Sequence, residues 1–158
     1  MDHVDIARTI AYLAHRYQED KTGRPYFGHL ERVAKKVDHL TWLGSVQKAE
    51  AVRVAYLHDF LEDNPGLTLA WLQNIFPIRV LNAIVAITKI QEEDYFKYID
   101  RVSQNFLATV VKLQDLEDNM SPERWCFGLR NETDWMWVRY SKAKDILSKA
   151  LDGNNFKE

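Results

Sequence analysis

The residues with most chemical potential lie in Val54–Asp63, where an apolar run ends in His58-Asp59 and then Glu62-Asp63. Buried together, an imidazole and three carboxylates would cost desolvation energy, and the like charges would repel. A divalent cation removes both penalties: it neutralises the carboxylates and takes the imidazole as a neutral nitrogen ligand. Facing water, the same residues would be an ordinary acidic helix end. The choice turns on further ligands, and His29 and Asp115 are the strongest candidates. Each sits on an otherwise apolar helical stretch, where an unpartnered charge is expensive. His29 lies one turn before Val33 and so points to the buried side of its helix. Asn119 follows Asp115 by one turn, about 5.4 Å along the same face. That places an amide beside the carboxylate, suited to hold a substrate group. Asp118, three residues on, either shares this edge or faces solvent.

The elements that must position these groups are helical. Apolar residues recur at three-to-four spacing over 4–18, 27–40 and 46–57, the last delivering His58 and Asp59 at its C-terminal end. Gly23 and Pro25 break the chain between the first two. Asn64-Pro-Gly66 signals a turn, and Thr68 is an expected N-cap for a short helix over 69–75. Pro77 suits the first turn of a strongly apolar helix closed by Thr88-Lys89. Further helices are predicted over 93–103, from Asn105 past Asp115, and over about 132–150, with Ser121-Pro122 as a stop or restart. No strand alternation, repeat or low-complexity stretch occurs. The expectation is an all-α fold of seven to nine helices, one domain over 1–151 with a polar tail over 152–158.

Three segments together resemble the HD-domain metal phosphohydrolases: Gly23-Arg-Pro-Tyr-Phe-Gly-His29, His58-Asp59-x-x-Glu62-Asp63 and Lys112-Leu-x-Asp115-x-x-x-Asn119. More narrowly they are similar to small alarmone hydrolases and the hydrolase half of RelA/SpoT-type enzymes. His15-x-x-Gln18, Phe76 and Thr88-Lys89 extend the likeness from about residue 6 to 147. The resemblance implies that His29, His58, Asp59 and Asp115 bind one divalent ion, usually manganese. It gives Glu62 and Asp63 the task of orienting and deprotonating the attacking water. A base is needed there because a bound metal lowers the pKa of water without removing its proton. It implies a small-molecule nucleotide substrate losing a 3′-pyrophosphate, with Lys21, Asn119 and Tyr140 near it. Where the family commonly has an arginine between Gln18 and Lys21, this chain has Asp20. The expectation is weaker alarmone binding, improved by Asp20→Arg. A nucleotide phosphatase, an RNA 3′-end pyrophosphate hydrolase and a catalytically silent binding module are the alternatives.

Composition sets the outer bounds. The 158 residues are 46% hydrophobic and 28% charged, with a formal net charge of −2. That balance argues against an extended nucleic-acid surface. No apolar run approaches the ~20 residues of a membrane span, and the start Met-Asp-His-Val-Asp lacks the pattern of a secretory signal. Cys126 stands alone, so no internal disulfide is expected, which fits a reducing cytoplasm. His15 is expected to pack the first helix against the site, and His3 and His39 to lie at the surface. The five tryptophans (42, 71, 125, 135 and 137) are expected to fill core and groove, with Trp135 or Trp137 in reach of a base.

Overall fold

The computed structural model describes residues 2–64, 66–125, 130–153 and 156, without the side chains of 123, 125 and 130–134. Cys126 and the side chain of Trp125 lie outside the described residues. The first helix, α1 (His3–His15), starts on a capping box. Asp2 Oδ1 accepts from the backbone N–H of Val4 and Asp5, and the Asp5 carboxylate reaches back to Asp2. The helix ends at His15 rather than 18, because the chain turns into a short antiparallel pairing of Glu19 with Pro25. Gly23 closes the tip of that loop with φ +75°, a conformation glycine adopts at no steric cost.

There follow α2 (Phe27–Asp38), α3 (Ser45–Leu57) and the four-residue α4 (Phe60–Asp63). The helix expected over 69–75 is only a 3₁₀ turn, Leu69–Trp71, whose Thr68 makes no side-chain cap. Then come α5 (Ile78–Ile87), α6 (Tyr95–Val102), α7 (Phe106–Asn119), α8 (Pro122–Trp125) and α9 (Arg130–Asp152). No strand element occurs among the described residues, and none of their helices is long and apolar enough to cross a membrane.

Helix α3 packs against α1, α2, α5 and α7, so Ala51, Val52, Val54, Ala55 and Leu57 are all buried. Surrounded on several sides over its second half, it leaves only Arg53 and Tyr56 partly open after Glu50, and its end, Val54–Leu57, reads as an apolar run. Helix α7 lies against α2, α3, α5 and α9 and contributes Leu107, Val110, Val111 and Leu116 to the same core. The joint between α5 and α6 is pinned by Arg101. Its guanidinium pairs with Glu93 and donates to the carbonyls of Ala86 and Thr88, satisfying the end of α5. Core filling does not extend to the tryptophans as expected. Trp42, Trp71, Trp135 and Trp137 are all largely exposed; Trp42 lies edge-on to Phe106 and Trp135 lines the cavity described next.

Candidate metal centre

His29 on α2, His58 just past α3 and Asp115 on α7 converge although 86 residues separate the first from the last. One ligand atom from each lies within 4.8 Å of the others, and all three side chains are buried. His58 Nδ1 lies 2.7 Å from the Ala55 carbonyl and donates to it, which makes Nε2 the lone-pair nitrogen of the neutral ring. That Nε2 is buried without a hydrogen-bond partner, yet sits 3.1 Å from Asp59 Oδ2 and 3.7 Å from Asp115 Oδ1. A nitrogen lone pair and two carboxylate oxygens thus face one another, an arrangement a cation stabilises. The residues present therefore fit a divalent ion. Burial lowers the proton affinity of His58, but Asp59 and Asp115 outweigh it and hold the pKa well above the ordinary value.

Each ligand candidate is itself oriented. His29 Nε2 lies 3.1 Å from Asp115 Oδ1, and its Nδ1 lies 2.7 Å from Asp118 Oδ2. Arg32 grips the Asp118 carboxylate with Nε and Nη2 at 2.9 and 3.0 Å. Asp115 Oδ2 accepts from Lys112 Nζ and Oδ1 from Asn119 Nδ2. Burial raises the Asp115 pKa, but Lys112 and the two imidazoles outweigh it and hold the carboxyl well below its usual range. Asp59 is not part of the tight triad, and its Oδ2 accepts from the Tyr26 hydroxyl.

The two carboxylates of α4 separate. Glu62 lines the adjoining cavity, with Oε2 accepting from the Lys89 backbone N–H, and burial pushes its pKa up. Asp63 is not among the cavity-lining residues; its Oδ2 accepts from Gln18 Nε2. Gln18 Oε1 in turn lies 2.6 Å from Nδ1 of the buried His15, so that histidine does serve the site from α1.

The cavity, of about 1140 Å³, is lined by the carboxylates of Asp59, Glu62 and Asp115 together with those of Glu19 and Asp20. Lys21, Lys89, Lys112, Arg124 and Arg139 bring positive charge to it, and Tyr95, Tyr98, Tyr140 and Trp135 bring aromatic surface. Lys21, Asn119 and Tyr140 all line it. Asn119 is engaged at both ends, donating to Asp115 and accepting from Arg124 Nη2 at 2.8 Å.

A guanosine-3′,5′-bis(diphosphate) 3′-pyrophosphohydrolase of Aquifex aeolicus is 31% identical over 159 residues, which cover 96% of this chain and 20% of that protein. The chain thus spans about a fifth of the length of the curated relative it matches. No family model matches. A solved structure of a metazoan SpoT ortholog that hydrolyses ppGpp superposes with a TM-score of 0.67 at 16% identity, covering 99% of this chain and 98% of that one. The chain has the HD-domain fold.

Within this HD-domain fold, Asp118, for which the sequence reading left open a place beside Asp115 or one facing solvent, is the group that aims His29. Asp118 does not face solvent; it is 1% exposed and forms the hydrogen bond that fixes the imidazole. The available signal was the paired spacing His29/Arg32 and Asp115/Asp118, three residues apart on two helices. Asp118→Ala is expected to weaken metal binding roughly 10- to 100-fold, as loss of such an outer carboxylate does. Titration of the metal-free protein checks this, and an unchanged affinity would remove Asp118 from the centre.

The expectation for Asp20 also changes. Its carboxylate is turned into its own loop, where Oδ1 accepts from Thr22 N and Oγ1 and from Arg24 N, while Oδ2 pairs with Arg124 Nη1 at 3.3 Å. Asp20→Arg would strand these donors and set one guanidinium against another. It is expected to destabilise the HD domain by about 3 kcal/mol, the cost of breaking a largely buried pair, and to raise KM rather than lower it. A lowered KM with an unchanged melting temperature would restore the sequence-based expectation.

Proposed function

We propose that this chain is a metal-dependent phosphohydrolase that removes the 3′-pyrophosphate of a guanosine or other purine alarmone of the ppGpp kind. The observation that carries the reading is the buried His58 Nε2, without a hydrogen-bond partner and facing two carboxylates that line a cavity carrying both acidic and basic side chains. The activity in the name of the Aquifex aeolicus relative, and that of the metazoan ortholog, support the substrate class.

In this reading His29, His58, Asp59 and Asp115 hold one divalent ion. Two imidazoles and two carboxylates without a thiolate suit a hard, six-coordinate ion, manganese first. The ion supplies Lewis acidity, drawing charge from a phosphoryl oxygen and acidifying water. Glu62 takes the proton of the attacking water, and the Lys89 N–H on Oε2 keeps its carboxylate aimed at the cavity. Asp63, held by Gln18 outside the cavity lining, assists Glu62 by fixing the turn that carries both. The new bond joins the water oxygen to phosphorus as the bond to O3′ breaks, and the proton taken by Glu62 is returned through solvent to O3′, giving a 3′-hydroxyl and pyrophosphate. Lys21, Asn119 and Tyr140 contact the nucleotide.

Pyrophosphate release from guanosine and adenosine 3′,5′-bis(diphosphates) and from a simple 3′-nucleotide, with and without manganese, tests this. Manganese-dependent release from a bis(diphosphate) is expected. Cleavage of the simple nucleotide alone would replace the alarmone reading with a general phosphatase, and turnover in chelator would overturn the metal reading.

A further inference from the structure

The hydrogen bond that aims Glu62 comes from the Lys89 backbone N–H, 3.2 Å from Oε2. That donor is available because α5 ends at Thr88, whose ψ of 123° turns the next peptide out of the helix. The Lys89 N–H is one half of a peptide unit. The other half is the Thr88 carbonyl, which points the opposite way because the unit is planar and trans. Arg101 Nη2 donates to that carbonyl at 2.9 Å. One rigid amide therefore carries a guanidinium on its oxygen and the Glu62 carboxylate on its nitrogen. The surroundings hold the amide firmly. Arg101 Nη1 also takes the Ala86 carbonyl at 2.9 Å, and the Tyr98 hydroxyl takes that of Ile87 at 2.6 Å. Glu93 fixes the guanidinium in turn, with Oε1 3.0 Å from Nε and Oε2 2.8 Å from Nη2. The turn that brings Glu93 round sets Glu92 at φ +61°, a left-handed conformation that costs energy in a residue with a side chain. Neither Arg101 nor Glu93 lines the cavity, so the arrangement serves the peptide rather than a ligand.

With Glu62 as the base of the proposed reaction, we propose that Arg101, held by Glu93, is a positioning residue that sets the direction of the Glu62 carboxylate through the Thr88–Lys89 amide. Two physical effects transmit its influence. The planar unit cannot turn its N–H without turning its C=O, so a fixed oxygen fixes the donor. A cationic donor on the oxygen also polarises the amide and strengthens the hydrogen bond that its N–H makes. Lysine is no substitute, because a point ammonium does not bridge Thr88, Ala86 and Glu93 together as the planar fork does. Arg101 lies on α6 and touches none of the metal-ligand candidates. Its effect on the base is therefore separable from the metal by mutation.

The test compares wild type with Arg101→Lys and with Arg101→Met combined with Glu93→Gln, each also made in a Glu62→Ala background. The glutamine avoids leaving a carboxylate without its partner. Melting temperature, manganese affinity and pyrophosphate release from guanosine 3′,5′-bis(diphosphate) are measured on each, and the Lys89 amide resonance is followed by proton–nitrogen NMR. In the double variant kcat is expected to fall roughly tenfold or more, with KM and manganese affinity within about twofold of wild type. Arg101→Lys should lose less, since its ammonium reaches one carbonyl at a time. In the Glu62→Ala background the same changes should alter kcat by less than about twofold, because an arginine acting through Glu62 then has nothing to aim. The Lys89 amide proton should move upfield in the Arg101 variants and in Glu62→Ala alike. Equal losses of kcat with and without Glu62, or a Lys89 resonance unmoved in both Arg101 variants, would overturn the positioning role. Should wild type hydrolyse no bis(diphosphate), the proposed reaction falls, while the Lys89 resonance still decides whether Arg101 sets the amide that aims Glu62.

Discussion

Glu62→Gln is expected to lower kcat by ~10²-fold or more while leaving manganese affinity within about twofold. The amide keeps the shape and can still receive the Lys89 N–H on its carbonyl oxygen, so the backbone around α4 has no reason to move. What it loses is the ability to take a proton. The raised pKa of Glu62, set first by burial, brings a carboxylate closer to the range in which proton acceptance is efficient. Asp63→Asn should cost less, because that side chain is spoken for by Gln18 and does not line the cavity. A larger loss in Asp63→Asn than in Glu62→Gln would exchange the two roles. Loss of manganese in Glu62→Gln would instead make Glu62 a ligand.

Asp115→Ala is expected to abolish retention of the metal and to weaken the fold as well. The carboxylate compensates three buried groups at once: the imidazoles of His29 and His58 and the ammonium of Lys112, whose Nζ lies 2.7 Å from Oδ2. Without it, the Lys112 ammonium, in a side chain only 15% exposed, loses the carboxylate that compensates its burial. Leaving one member of a buried pair uncompensated costs about 3–5 kcal/mol. Elemental analysis after gel filtration and a thermal melt measure the two effects. A variant that retains one equivalent of manganese would remove Asp115 from the coordination sphere. The double substitution Lys112→Met with Asp115→Ala should recover much of the stability and none of the metal, which separates the two consequences.

The centre was readable from sequence to the extent that its groups contradict their surroundings. His29 and Asp115 sit on apolar helices, and a polar residue on an apolar face needs a partner, so their convergence with His58 follows from burial. The helices carrying them have caps and periodicity of their own, as Asp94 at the start of α6 and Asn105 at the start of α7 show. What sequence did not disclose are contacts made across long separations by residues ordinary in their own neighbourhoods. Arg124 and Arg139 look like solvated helix arginines until α8 and α9 swing them over the cavity. Asp20 does line the cavity, but the partners that engage its oxygens, Thr22, Arg24 and Arg124, are a tertiary detail that sequence did not disclose. The tryptophans misled because large aromatic area suggests interior, whereas this core is filled by Val, Leu, Ile and Ala from α3, α5 and α7.

The placement of the centre among α2, α3 and α7 also decides how the protein should behave when its ion is stripped. These helices already bury Leu30, Val33, Val54 and Val111 against their neighbours, none of which depends on coordination. The ion is then a rivet through a wall that stands without it, unlike the knot of a zinc finger, which unravels on chelation. Dialysis against EDTA should leave the far-ultraviolet circular dichroism of the helices intact. Readdition of manganese at a hundredfold excess over Kd should contribute about 2.7 kcal/mol through binding to the native state alone, a rise in Tm of roughly 5–10 °C for a domain of this size. Folding would therefore precede loading of a divalent ion, and removal of that ion would not expose the chain to proteolysis.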